Sequence, residues 1–249
     1  MRLPAVRGVI RRRVLVNFRV DPQVMQRHLP HPFRPKLLGG CAVAGICLIR
    51  LEAIRPWPVP YPVGTHSENA AHRVAVTWTG AEGEAHEGVY IPRRDTSSVL
   101  NHLAGGRLFP GEHQRARFGV RDEAGAIDLA MQSDDGAVAV RLRARPVRTL
   151  PPTSLFTSLD EASAFFSAGS LGYSATRDGA RLDGVRLHAS AWHVEPLAVE
   201  SVYSSYFADE SRFPRGSVAF DCALLMRNLP HEWRRAGSLY VDGRPRCGG

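Results

Sequence analysis

The sequence predicts a β-rich α+β fold: an antiparallel-rich or mixed sheet, curled or closed on itself, carrying a few short helices. Three observations predict it. Apolar runs with alternating faces recur along the chain, separated by Gly- and Asp-containing turns. Only three helical segments can be placed, all short. No strand–helix–strand rhythm runs through the chain, so a doubly wound parallel sheet is disfavoured.

The elements follow in order. Val14–Val20 reads as a strand, and Asp21 caps a short helix that begins at Pro22 and ends by Leu29-Pro30. Cys41–Ile54 is a long apolar stretch that suits a buried strand. Residues 55–64 hold four prolines and form a loop, with Trp57 and Tyr61 as candidate lid residues. Strands over 68–78 and 85–91 are joined by the turn TGAEGE. A helix starts near Thr96 and stops at Gly105-Gly106; strands follow near 115–121, 126–132 and 137–147. Ser158 and Glu161 form a capping box opening a helix to Ala168. Strands near 185–195, 199–206 and 217–227 complete one domain over 1–233, with a poorly ordered tail over 234–249.

The net charge of +8 is local: residues 1–36 hold nine basic residues and one acidic, and the remainder balances. Of 32 basic residues only Lys36 is a lysine. No apolar run approaches the ~20 residues of a membrane helix, and the N-terminus lacks the apolar core of a signal peptide. Four cysteines without a CxxC pair read as reduced thiols of a cytoplasmic protein. No metal or cofactor is expected, because paired His motifs and glycine-rich phosphate loops are missing.

Charged residues interrupt the apolar strands. On the strand 68–78, Glu68, Ala70, His72, Val74, Val76 and Trp78 share a face, so Glu68 and His72 should point inward. On the next strand Glu87, Val89, Ile91 and Arg93 share a face that also reads as interior. Such a cluster either neutralises itself as a buried ion network fixing strand register or lines a ligand cavity. Delivery of both signs of charge to one place favours the cavity.

These same segments carry a resemblance. VLVNFRVDPQVMQRHLPHPF, at 14–33, resembles the opening of the acetoacetate-decarboxylase-like superfamily. HSEN, at 66–69, resembles the segment bearing that family's active-site Glu, here Glu68. EGVYIPRR, at 87–94, resembles the family's Glu-x-x-x-x-Pro-Lys-Lys, which ends in the catalytic lysine pair. SENAAHR, EGVYIPRRD, AGGRLFPG, AGSLGYSATR and FDCALLMR resemble more closely an uncharacterised bacterial branch, often termed YqjF-like. The resemblance implies a closed barrel with an internal cavity.

It also places Arg93 where the family has its Schiff-base lysine, Arg94 where it has the partner lysine, and Arg11 at an N-terminal active-site arginine. Arginine stays protonated and forms no imine; Lys36 lies in a loop-edge segment and is no substitute. The expected ligand is therefore a small carboxylate or keto acid held in the fork of Arg93. Arg94, Glu87 and Arg11 would stand nearby, with Glu68 and His72 as base and acid of lyase-type chemistry. A non-catalytic carrier or sensor using the same cavity is the alternative. Nucleic-acid binding through Arg11, Arg12 and Arg13 ranks last, since no recognition motif accompanies the charge. No membrane partner is expected, and a homo-oligomer is compatible with this reading.

Overall fold

A computed structural model describes residues 5–56, 59–60, 64–80, 82–106, 110–123, 125–189 and 192–241. Among them the chain runs through β1 (Ala5–Val20), α1 (Pro22–Gln26), β2 (Arg34–Pro35), β3 (Leu37–Leu38), β4 (Cys41–Pro56), β5 (Thr65–Thr79) and β6 (Ala85–Thr96). It continues with α2 (Val99–Ala104), β7 (Gln114–Glu123), β8 (Ala126–Ser133), β9 (Ala139–Pro146), α3 (Leu159–Ala168), β10 (Leu171–Ala175) and β11 (Arg181–Ala189). β12 (Glu195–Ser204), α4 (Ser205–Ala208) and β13 (Val218–Tyr240) end it. The predicted strand-rich class with few short helices is the one observed.

All thirteen strands belong to one sheet that closes on itself. β13, β1, β4, β5 and β6 form an antiparallel wall. β7, β8, β9 and β12 close one ring from β6 back to β13. β10 and β11 close a second, shorter ring between the same two strands. The parallel pairings are β6–β7 and β6–β10. A parallel neighbour needs a crossover, and α2 lies in the one between β6 and β7.

Both faces of the wall are covered. One face presents Val14, Val16, Phe18, Ile46, Leu48, Ala70, Val74 and Val76 to Ile127, Leu129 and Leu142 of β8 and β9. The other presents Leu15, Cys47, Ala75 and Leu224 to Ala162 and Phe166 of α3. The period-two alternation of β1 serves both cores at once. α3 starts with one half of the capping box, Ser158 Oγ accepting from Glu161 N at 3.1 Å, while the Glu161 carboxylate reaches one residue beyond the cap and accepts from Thr157 N at 2.7 Å.

Three expectations are corrected. Residues 171–175 form β10, a short strand between Gly-containing turns that was not anticipated. The strand expected near 185–195 starts at Arg181 and ends at Ala189. The region predicted as a tail from residue 234 continues β13 to Tyr240, because β11 pairs along it from His231 to Tyr240. A lone strand end would fray; a partner supplies its hydrogen bonds. Residues 242–249, and the candidate lid residues Trp57 and Tyr61, lie outside the described residues. Cys41, Cys47 and Cys222 are free thiols.

β1 and β4 cross closely at Gly45, where a Cβ would lie 2.1 Å from Val16 O. Gly45→Ala is expected to destabilise the fold by about 1–3 kcal/mol, read as a lower denaturation midpoint in urea.

Candidate functional site

The segment that organises the site is β6. Its register against β5 shifts between the pairs Val74–Tyr90 and His72–Arg93, so Arg73 opposes both Ile91 and Pro92. This is a β-bulge at a proline, a residue that cannot donate to the ladder and is placed at bulges for that reason. The bulge reverses the alternation. Before it, Tyr90 is the core residue of β6 and Glu87 lies on the other face. After it, Arg93 shares the face of its partner His72, and Arg94 shares the face of its partner Ala71. The expected common face of Glu87, Val89, Ile91 and Arg93 therefore does not exist.

Glu68 and His72 do point to the wall's buried face, but into separate surroundings. Glu68 accepts from Arg12 Nη2 at 2.7 Å, and Arg50 Nη1 lies 3.9 Å away. Arg12 also faces Asp122 at 3.6 Å, and Arg227 binds Asp122 at 2.6 Å. This is an ion network, with the Arg12 side chain only 5% exposed. Burial pushes the Glu68 carboxyl above its ordinary range, against the pull of Arg12 and Arg50.

His72 is fully buried, 4.6 Å from the Tyr206 ring. Neither of its ring nitrogens has a hydrogen-bond partner. Burial, reinforced by Arg93 and Arg212, lowers it to about 3. Four residues apart on a strand, Glu68 and His72 stand about 13 Å from each other, too far to act on one proton.

The remaining expected ligands disperse. Arg93 is occupied: its Nη2 donates to Asp95 Oδ1 at 2.8 Å and to Asp135 at 3.0 Å. Glu87 is paired with Lys36, whose ammonium sits 4.4 Å from the Phe165 ring centre. Arg11 faces outward, 56% exposed, on Glu52 and Asn228.

Arg94 differs from all of these. Its Nε donates to Ser174 Oγ at 3.2 Å, while its buried Nη2 has no partner. No described carboxylate pairs with it, and burial lowers its guanidinium to about 10. It borders a cavity of about 540 Å³ walled by Ile49, Leu51, Ile54, Ala71, Leu100 and Trp233, with Asn69, Asn101 and His113 among the polar groups. Asn69 is fixed by Thr96 Oγ1 at 2.8 Å and by Ser67 Oγ at 2.8 Å; Asn101 donates to the same Ser67 hydroxyl at 3.2 Å. His113 is held near 3, by burial first and then by Arg94, so it is neutral at physiological pH.

The motif AGGRLFPG explains its glycines here. Gly111, at φ +89°, lies against Arg94: a Cβ would come within 2.4 Å of Nε. At Gly105 a Cβ would come within 2.7 Å of His113 Nδ1. Residues 107–109 lie outside the described residues.

Two further arginines were not foreseen at inward positions, Arg73 buried and Arg13 half-buried. Arg73, with its guanidinium 4.6 Å over the Phe166 ring, donates to Asn17 Oδ1. Arg13 lies 5.1 Å from the Trp192 ring and donates to Cys47 Sγ at 3.0 Å. Their signal in the sequence is an arginine at an inward position of a strand with two buried faces. Among the described residues, no cluster of His, Cys, Asp and Glu could hold a metal ion, and no helix is long and apolar enough to cross a membrane.

The sequence profile of DUF2071, a family of uncharacterised conserved proteins, matches residues 9–222. The chain belongs to that family, in agreement with its YqjF-like motifs. No curated protein matches it. Among solved structures it is similar to an acetoacetate decarboxylase from Legionella pneumophila (TM-score 0.60, 11% identity, 94% of this chain and 88% of that one). It is also similar to the enduracididine biosynthesis enzyme MppR, solved with a condensation product of pyruvate and imidazole 4-carboxaldehyde (TM-score 0.59, 12% identity, 97% and 90%). A third is an acetoacetate decarboxylase-like enzyme from Sphingomonas wittichii RW1 (TM-score 0.55, 13% identity, 95% and 91%). At these identities the likeness establishes the fold.

The buried His72 makes a pH prediction. A histidine at about 3 in the folded chain and about 6.5 unfolded leaves the unfolded state holding more protons in between. Its stabilising contribution is thus present above pH 6.5 and lost as pH falls toward 3. His72→Phe should reduce the slope of stability against pH in that window by up to about 1.4 kcal/mol per pH unit, measured by urea denaturation at pH 4.5–6.5.

Proposed function

Taking membership of this family and the acetoacetate-decarboxylase-like fold as premise, we propose that the chain binds a small molecule through a carboxylate seated on Arg94. One observation carries this reading. Arg94, whose Nη2 is buried and uncommitted, lines a cavity of about 540 Å³, and no described acid pairs with it. An isolated buried charge is costly. A ligand carboxylate would offset that cost with charge-assisted hydrogen bonds. The MppR neighbour, described with a condensation product of pyruvate, adds that this fold admits an organic acid.

The reading moves the carboxylate fork from Arg93, which Asp95 and Asp135 already occupy, to Arg94. It also favours binding over turnover. Imine formation needs an unprotonated amine, and the chain's single lysine is paired with Glu87 beside Phe165, away from the cavity. Glu68 and His72 sit on the opposite face of the wall, so they supply no acid and base to this ligand. Within the cavity, Arg94 near 10 and His113 near 3 hold their charge states through neutrality. A carrier or sensor follows from these residues more directly than a lyase. Nucleic-acid binding through the N-terminal arginines has less support, since Arg12 is buried on Glu68 and Arg13 lies against Trp192; of the three, Arg11 is the exposed one.

Arg94→Met should abolish the thermal stabilisation given by carboxylates, whereas Arg93→Met should lower basal stability by breaking its pairs with Asp95 and Asp135. Stabilisation that persists in Arg94→Met sinks the proposal. Borohydride added with acetoacetate should leave the intact mass unchanged; an adduct on Lys36 would restore imine chemistry.

A further inference from the structure

Resting on the carboxylate reading above, we infer that the ligand class is an amphipathic monocarboxylic acid: one carboxylate at Arg94 and an extended apolar body along the cavity, longer than a two- to four-carbon acid.

The cavity offers one place for a charged head. Of its two arginines, Arg55 donates to the carbonyls of Ala53 and Val59, and Arg94 keeps a buried donor uncommitted. Asn69 and Asn101 are tied to Ser67 and Thr96. His113 is neutral and beside Arg94, suited to a second hydrogen bond at the head. The Thr65 hydroxyl donates to Ile54 O at 3.4 Å, and most of the remaining wall is aliphatic or aromatic: Ile49, Leu51, Ile54, Val185, Leu100 and Trp233. A second acidic or hydroxyl-rich group would face these without a partner.

Size points the same way. Counting about 30 Å³ for a water-sized group, 540 Å³ exceeds a short acid several-fold. A short acid would leave the apolar walls in contact with water and forgo their burial.

Helix α2 adds an independent sign. Val99, Leu100 and Leu103 are 58%, 58% and 57% exposed, and no residue of α2 is buried. The helix thus contributes no side chain to the core, yet it sets Leu100 on the cavity. An apolar ligand body reaching Leu100 would cover surface that the protein itself leaves exposed.

The test is calorimetric titration of the full chain with acetate, butyrate, hexanoate, octanoate and octan-1-ol. Affinity is expected to rise about fourfold per methylene, on the order of a hundredfold from butyrate to octanoate. Leu100→Ser should narrow that ratio, and octan-1-ol should bind far more weakly than octanoate. Equal affinities for butyrate and octanoate, both lost in Arg94→Met, would overturn the inference while leaving the carboxylate reading intact. Octan-1-ol binding as tightly as octanoate, or octanoate binding that survives Arg94→Met, would instead overturn the carboxylate reading on which it stands.

Discussion

Both faces of the wall formed by β13, β1, β4, β5 and β6 are buried, and most of the molecule's chemistry follows from that. On a sheet with one wet face a polar side chain can turn to water. Here each polar residue must find a partner inside or remain unsatisfied at a cost. The wall answers residue by residue. Arg12 takes Glu68. Arg73 takes Asn17 and the face of Phe166. Arg13 takes Cys47 and the face of Trp192. His72 gives up its charge. Arg94 keeps a charge and an uncommitted donor, and it borders a large cavity.

The bulge at Pro92 decides which arginine is which. Adjacent residues on a strand point to opposite faces, so Arg93 and Arg94 were always going to separate. The phase shift between Tyr90 and Arg93 determines that Arg93 faces His72, Asp95 and Asp135 while Arg94 faces the cavity. Without the extra residue their positions would exchange. Gly111 packs against Arg94 and Gly105 against His113, and only residues without a Cβ fit that approach.

The fold is that of the acetoacetate-decarboxylase-like proteins, and the family is DUF2071. What the chain lacks is an amine in the cavity. An arginine in a lysine's place keeps the positive charge and the affinity for an acid, and it discards the nucleophile. The fold alone therefore does not carry the chemistry, in keeping with function residing in sites rather than folds.

The strand-rich class, the capped start of α3, the inward face of Glu68 and His72 and the family were all legible in the sequence, because alternation, caps and motifs are local signals. The sequence also shows a single lysine, Lys36, as the one side-chain amine. Tertiary structure alone decided the rest. The partner of Glu68 comes from β1, the acid that occupies Arg93 comes in part from the turn after β8, and β13 runs on to Tyr240 because β11 lies beside it. The choice of Arg94 over Arg93 turned on a one-residue bulge. Period-two reading places a side chain on a face only while the register holds, and a bulge leaves no mark in the sequence beyond a proline that several other roles would explain equally well.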